Sequence, residues 1–270
     1  MPVDTLPKFS KRVITSVIFI TATIYAIFFA PNWIFVLTVE GFVLLGLNEF
    51  FDMAKKKGLE INSALGLTFG GLFPLTYFFP ADVVIMLATM LCIFMFNFHR
   101  RLKEQALVNT SVTMFGVIYV SWFFSMITKI RQLPHGAVWI FYVILTTKAG
   151  DMAAYFFGQQ FGKTKFIQHI SPNKSIEGAV ASLLTSIIVS LGSKLFLSHV
   201  PIGHLFVLGL VLGILALVGD LCESLIKRDC GIKDSGQIPG LGGVLDVIDS
   251  LIFTIPFCYY YISVFPGVAG

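Results

Sequence analysis

Charge is scarce in this chain. Asp, Glu, Lys and Arg make up 13% of its 270 residues, about half the roughly 25% that a soluble domain carries. A water-facing globular surface is excluded on that count, and so is a disordered chain, which needs charge to stay open. Cysteine is equally thin. Cys92, Cys222, Cys230 and Cys258 form no CxxC pair and no metal-ligand spacing, which excludes a disulfide scaffold and reads as four inert thiols. Strict apolar–polar alternation is missing, so a membrane β-barrel does not fit. No internal repeat and no low-complexity stretch stands out, and the first apolar run is not followed by a small-residue cleavage site. What the chain has instead is 56% hydrophobic residues, 28 of them Phe, and a mean hydropathy of +0.84.

A helix needs about 20 mostly apolar residues to cross the hydrocarbon of a bilayer. Nine stretches come close, at 13–30, 33–51, 64–80, 83–98, 108–128, 137–157, 178–197, 204–226 and 250–266. Breaks fall at Pro31-Asn32, Lys55-Lys56-Lys57-Gly58, Pro80-Ala81-Asp82 and His99-Arg100-Arg101. The expectation is an all-α, polytopic integral membrane protein of about nine transmembrane helices, with eight or ten as the near alternatives. We read 1–270 as one membrane domain, with N-terminal spans in 1–135 and the spans carrying the site in 136–270. Basic residues stay on the cytoplasmic side of short loops. With the N-terminus cytoplasmic, Lys8, Lys11, Arg12, Lys55, Lys56, Lys57, Arg100, Arg101, Lys103, Lys163, Lys165, Lys174, Lys227, Arg228 and Lys233 all fall inside, fifteen of nineteen. Lys129 and Arg131 fall outside, and Lys148 and Lys194 lie within or at the end of spans. The C-terminus is then expected outside. The net charge of +4 comes from the inner loops and suits anionic headgroups, not nucleic acid.

An ionisable group inside a span is costly and therefore a functional hypothesis. Such groups concentrate in two late blocks. The first holds Lys148 and Asp151, three apart on one helix face, where a simple ion pair is the plainer reading. It continues through Gly158, Gly162-Lys163 and Ser171-Pro172-Asn173-Lys174-Ser175-Ile176-Glu177-Gly178, where Ser171 or Ser175 caps a new helix with Glu177 in its first turn. The second block runs from Gly219 to Ser250. Asp220, Ser224 and Lys227 form one stripe at i, i+4 and i+7, and Asp246, Asp249 and Ser250 another at i, i+3 and i+4. Both stripes, and Asp151, are expected to open to the cytoplasmic side. Carboxylates from two facing helices suit Mg²⁺, which takes one or two of them plus water and substrate phosphates. Lys227, Arg228 and Lys233 supply positive charge for phosphates. The glycines at 236, 240, 242 and 243 let backbone N–H groups approach an anion. This combination fits phosphoryl or nucleotidyl transfer; a solvated loop joining two spans is the plainer reading.

These residues resemble the phosphatidate cytidylyltransferase family, also called CDP-diacylglycerol synthase. The family signature appears as Ser224, Lys227-Arg228, Lys233-Asp234, Pro239-Gly240, Gly242-Gly243, Asp246 and Asp249, and the upstream Asp151, Ala154-Tyr155, Gly158, Gly162-Lys163, Ser171-Pro172, Lys174 and Glu177-Gly178 also follow its pattern. The match covers about residues 146–255. Three departures stand out: Leu241 where the family has His, Val247 where it has Arg, and a loop from Gly236 to Pro239 one residue short.

The resemblance implies transfer of a cytidylyl group from CTP to phosphatidate, giving CDP-diacylglycerol and pyrophosphate with Mg²⁺, a second cation being left open. It implies Asp220 and Asp246 as metal ligands and Asp249 as a further carboxylate. Lys227, Arg228 and Lys233 are assigned to the phosphates. Ser171, Lys174 and Glu177 line the rim, and Asp151, Ser224, Asp234, Gly242 and Gly243 contact substrate. The partners expected are CTP and a membrane lipid, with a homodimer left open. The location expected is the inner (cytoplasmic) membrane, multi-pass, with the site on the cytoplasmic side. The rivals are a CTP-dependent polyprenol or lipid kinase, which would release CDP, and a transporter, for which the charge-poor first five spans offer no path.

Overall fold

The computed structural model describes residues 20–100, 105–168, 170–236 and 242–269. Leu241, Pro239 and Gly240 therefore lie outside the described residues. Residues 20–28 are helical, followed by α1 (Asn32–Lys56), α2 (Ser63–Leu75), α3 (Asp82–Arg100), α4 (Ala106–Gln132), α5 (Gly136–Phe161), α6 (Ile176–Gly192), α7 (Ile202–Asp229), α8 (Val244–Ile248) and α9 (Leu251–Val264). Every apolar stretch expected from the sequence has a helical counterpart, but the nine are not equivalent. Among the described residues six helices are long and apolar enough to cross a membrane; α2 and α9 are apolar but shorter. The shortness has local causes. α2 is interrupted at Gly71, with Pro74 following in the next turn, and α9 spans only 14 residues.

The chain also departs from a purely helical reading. Lys165–Ile167 (β1) and Ser171–Ser175 (β2) pair as an antiparallel hairpin, Lys165 opposite Ser175 and Ile167 opposite Ser171. The hairpin sits between α5 and α6 and delivers the chain to the α6 N-terminus. There Ser175, not Ser171, is the cap: its hydroxyl oxygen accepts from Gly178 N at 3.1 Å.

The helices pack with their small and polar residues inward. On α6, Ser182, Ser186 and Ser190 are fully buried, while Val180, Leu184 and Ile188 face outward. In lipid this inversion is expected, because apolar side chains gain nothing by leaving the hydrocarbon and backbones gain by close approach. A Cβ on Gly150 would lie 2.5 Å from Ser186 Oγ, and one on Gly209 2.9 Å from Ile187 Cα, so α5 and α7 both ride directly on α6. Trp139, Tyr142, Phe51 and Phe73 fill the remaining interior. Within α4, residues Val117–Trp122 widen into a π turn, a distortion often found near functional sites.

Polar contacts sort the molecule into two ends. At one end Arg131 donates to Ala30 O, Lys129 pairs with Asp82, Gln132 donates to Tyr77 O and His199 meets Val268 O. At the other, Lys57 pairs with Asp229 and Asn62 N donates to Asn109 at 3.1 Å. The basic residues expected outside, Lys129 and Arg131, thus share the first end, and Lys55–Lys57, Lys174 and Lys227 share the second with the site. Segment 62–77 runs from one end to the other despite its short helices.

Candidate active site

The site is assembled at the second end from α1, α5, α7, β2 and the α8–α9 turn. α7 supplies Asp220, Glu223 and Lys227 on one stripe. Gly219 sets its depth: a Cβ there would lie 2.5 Å from Asp249 O. Only glycine lets α7 touch the turn between α8 and α9.

Lys227 is nearly buried and its ammonium bridges Glu223, which is fully buried, and Asp246. Asp246 is further held by Ser235 N at 2.9 Å and Gly243 N at 2.7 Å. Burial works to raise the Asp246 carboxyl, but Lys227 and these two backbone donors outweigh it and hold it below the usual carboxylate range. A second cluster adjoins the first. Lys148 Nζ lies 3.0 Å from Asp151 and 2.8 Å from Ser250 Oγ, whose hydroxyl is 2.8 Å from the same Asp151 oxygen. Lys174 reaches from β2 to Asp220 at 2.8 Å. Asp249, in the α8–α9 turn, is buried and accepts from Ser250 N at 2.6 Å. Burial pushes its carboxyl up; Lys148 opposes this, and the charges of Asp220 and Asp151 reinforce it.

Several of the expected residues have partners within the protein. Glu177 accepts from Thr164 N at 3.1 Å and closes the hairpin. Arg228 donates to Ile170 O and Ile232 O, each at 3.1 Å, fastening the hairpin to the end of α7. Lys233 and Asp234 are exposed, and Ser224 is buried on α7. At the described end of the glycine loop the N–H groups meet protein carboxylates: Gly243 N faces Asp246, and Val244 N and Leu245 N face the carboxylate of Glu49 at 2.9 and 2.8 Å; Gly240 lies outside the described residues. The anions those N–H groups await are the protein's own. Glu49 and Glu223 were not legible as site residues: Glu49 sits in the apolar α1, far from every signature residue, and Glu223 falls between Asp220 and the signature residue Ser224.

Beside the carboxylates a cavity of about 660 Å³ opens among α5, the hairpin, α6 and α7. Asp151, Ser171, Lys174, Asp220 and Lys165 line it, with Gly158, Gly162 and Gly178 giving it smooth walls. Asp220 and Asp246, the expected metal ligands, face different ammonium groups, Lys174 and Lys227. Among the described residues no three carboxylates, histidines or cysteines converge as a metal cage. A hard divalent cation held by one or two carboxylates and substrate phosphates needs no such cage. The donor set fits it: Asp151, Asp220, Glu223, Asp246 and Asp249 are all oxygen ligands, and they face three ammonium groups, those of Lys148, Lys174 and Lys227. Five carboxyl groups stand against three ammonium groups, a surplus of oxygen ligands that would suit a divalent ion. Glu223 Oε1 has no partner among the described residues, while Oε2 faces the Lys227 ammonium.

Known proteins align over the same elements. A profile of the Cytidylyltransferase family matches residues 10–265. The chain is 30% identical over 286 residues to a phosphatidate cytidylyltransferase of Synechocystis sp., covering 94% of this chain and 96% of that protein. It is 32% identical to the phosphatidate cytidylyltransferase of Bacillus subtilis, over 82% of this chain and 86% of that one. A phosphatidate cytidylyltransferase of Chlamydia muridarum is 38% identical over 182 residues, and there the match spans 59% of this chain and 57% of the relative's length.

Proposed function

The chain belongs to the cytidylyltransferase family, and from that membership we propose that it transfers a cytidylyl group from CTP to phosphatidate, forming CDP-diacylglycerol and pyrophosphate. The observation that carries the proposal is the cavity that has Asp220 and Lys174 on its wall and the Lys227 cluster behind it, at the end of a bundle of apolar helices. Such a site meets a soluble nucleotide from one direction and a lipid headgroup from another. The relatives in Synechocystis and Bacillus subtilis carry the same activity in their names.

In the reaction a phosphate oxygen of phosphatidate attacks the α-phosphorus of CTP. The bond from that phosphorus to its bridging oxygen breaks, and the electron pair leaves on pyrophosphate. A phosphomonoester is already nucleophilic at neutral pH, so no strong general base is needed, and Leu241 and Val247 in place of the family's His and Arg are compatible with turnover. Mg²⁺ would be held by Asp220 and Asp246 with Asp249 beside them, and when bound it neutralises charge on the phosphates. Lys174 and Lys227, now paired with those two carboxylates, are the ammonium groups available to the triphosphate and lipid phosphate. Ser171 and Asp151 face the same cavity. Arg228 and Glu177 hold the hairpin that forms its rim. Asp234, Lys233, Gly242 and Gly243 act through the loop that leads to Asp246, and Ser224 through α7, which carries Asp220 and Lys227. The cytoplasmic side of an inner membrane is the location proposed for this end of the molecule.

The test is pyrophosphate release from CTP by the purified protein in detergent, with phosphatidate and Mg²⁺, beside Asp246→Asn. Release that depends on phosphatidate and falls by roughly a hundredfold or more in the variant, as for loss of a charged group at the reacting centre, is expected. CDP as the product would mark a lipid kinase, and an unaffected variant would remove Asp246 from the site.

A further inference from the structure

We infer that Glu49, on the N-terminal helix α1, is a positioning residue for the Asp246 loop, acting on catalysis from the half of the chain that carries none of the family signature. The inference rests on the activity proposed above only for its kinetic readout. α1 is apolar for most of its length, and the site partners of Glu49 lie 186 to 196 residues further along the chain. Among the described residues its carboxylate meets three donors and no cation: Ser235 Oγ at 2.9 Å, Val244 N at 2.9 Å and Leu245 N at 2.8 Å. Val244 and Leu245 open α8, so their N–H groups have no acceptor within the helix. Ser235 precedes the loop and Val244 follows it; one carboxylate thus holds both of its ends.

The glycines confirm how close the contact is. A Cβ on Gly236 would lie 2.4 Å from Glu49 Oε1, and a Cβ on Gly243 2.4 Å from Glu49 Oε2. These glycines are required by a protein carboxylate. The contact continues to the reacting end, because the Ser235 hydroxyl also lies 2.9 Å from Asp246 Oδ2, the oxygen that Gly243 N holds at 2.7 Å. Glu49 therefore sets the position of Ser235 and Gly243, and those two set the carboxylate of Asp246, whose other oxygen takes Lys227. Glutamine is not an equivalent. Three donors demand an acceptor at both side-chain oxygens, and an amide would turn an N–H₂ toward at least one of them. Aspartate keeps the charge but falls one methylene short.

Glu49→Gln and Glu49→Asp, purified in detergent as the full chain, separate positioning from mere support. In Glu49→Gln the expected result is a kcat lower by roughly ten- to a hundredfold, as for a sub-ångström misplacement of a reacting group, with the KM for CTP changed less than about threefold. Glu49→Asp is expected to fall between it and the parent. Amide exchange read by mass spectrometry is expected to quicken in 242–250 and to stay unchanged in 176–192. Parent kcat in Glu49→Gln, with only the unfolding temperature lowered, would overturn the inference. A parent protein that releases no pyrophosphate would sink the proposed activity instead; exchange in 242–250 then decides, an unchanged rate in Glu49→Gln counting against Glu49.

Discussion

Asp249 shows what the site costs. Its carboxyl sits in a buried turn with Ser250 N as donor and with Lys148, Asp220 and Asp151 as its charged neighbours. Burial pushes its pKa up to about 7 from an ordinary 3.8. The sign follows directly: a group whose folded pKa is raised is tolerated while protonated, and stability is lost as the pH climbs from its unfolded to its folded value. Asp249→Asn removes that penalty without changing shape. In a chelator, so that no cation compensates the charge, the variant should unfold at a higher temperature than the parent. The gap should be nearly absent at pH 4, widen through pH 7 and level off by pH 8. Thermal unfolding in detergent across that range checks it, and a variant less stable at pH 8 would show that Asp249 is stabilised as an anion. The same variant should lose activity, the usual exchange of stability for a charged site. Carboxylates such as this one were legible at the residue scale because a membrane sequence displays every charge it retains. Glu49 was not, since its meaning lies in donors nearly two hundred residues away.

Helices, rather than side chains, decide where those charges meet. The stripe Ser182, Ser186, Ser190 was present in the sequence at helical spacing, and it carries α5 on one side and α7 on the other. Gly209→Ala tests this directly. Its Cβ would lie 2.7 Å from Ser190 Cβ, 2.9 Å from Ile187 Cα and 3.0 Å from Ser186 O, and two of those atoms are backbone that cannot swing aside. The expected loss is about 1–3 kcal/mol, the range for overpacking a close contact, seen as a lower unfolding temperature. Because α7 carries Asp220 and Lys227, kcat should fall with it, while Gly203→Ala, where a Cβ meets nothing within 4 Å, should change neither. Equal behaviour of the two variants would count against the packing account. The hairpin escaped sequence reading for an opposite reason. Ser171-Pro172-Asn173-Lys174-Ser175 has almost no strand propensity; it is extended because Arg228 fastens the hairpin at its turn and Glu177 at its base.

At the scale of the whole molecule, the two ends differ in charge, and that difference predicts which faces the cytoplasm. The site end collects Lys55, Lys56, Lys57, Lys165, Lys174, Lys227 and Arg228, while Lys129, Arg131 and Lys194 are the basic residues of the opposite end among the described residues. Orientation follows the lysine and arginine bias of short loops, so the site end should lie inside. Val268 accepts from His199 at the far end, 3.2 Å away. Val268, next to the last described residue, therefore sits across the bundle from Asp246. A periplasmic phosphatase fused after Gly270 should be active, and a fluorescent protein fused there, one that matures only in the cytoplasm, should stay dark. The same reporters inserted between Gly162 and Lys163, at the foot of the hairpin, should give the reverse pattern. Two active phosphatase fusions would contradict the odd number of crossings, α6, α7 and α9, that separates the two points, and two fluorescent ones would do the same from the other side. A full inversion would leave the fold intact but place the cavity beside Asp220 where CTP is not supplied, and with it the proposed reaction would fall.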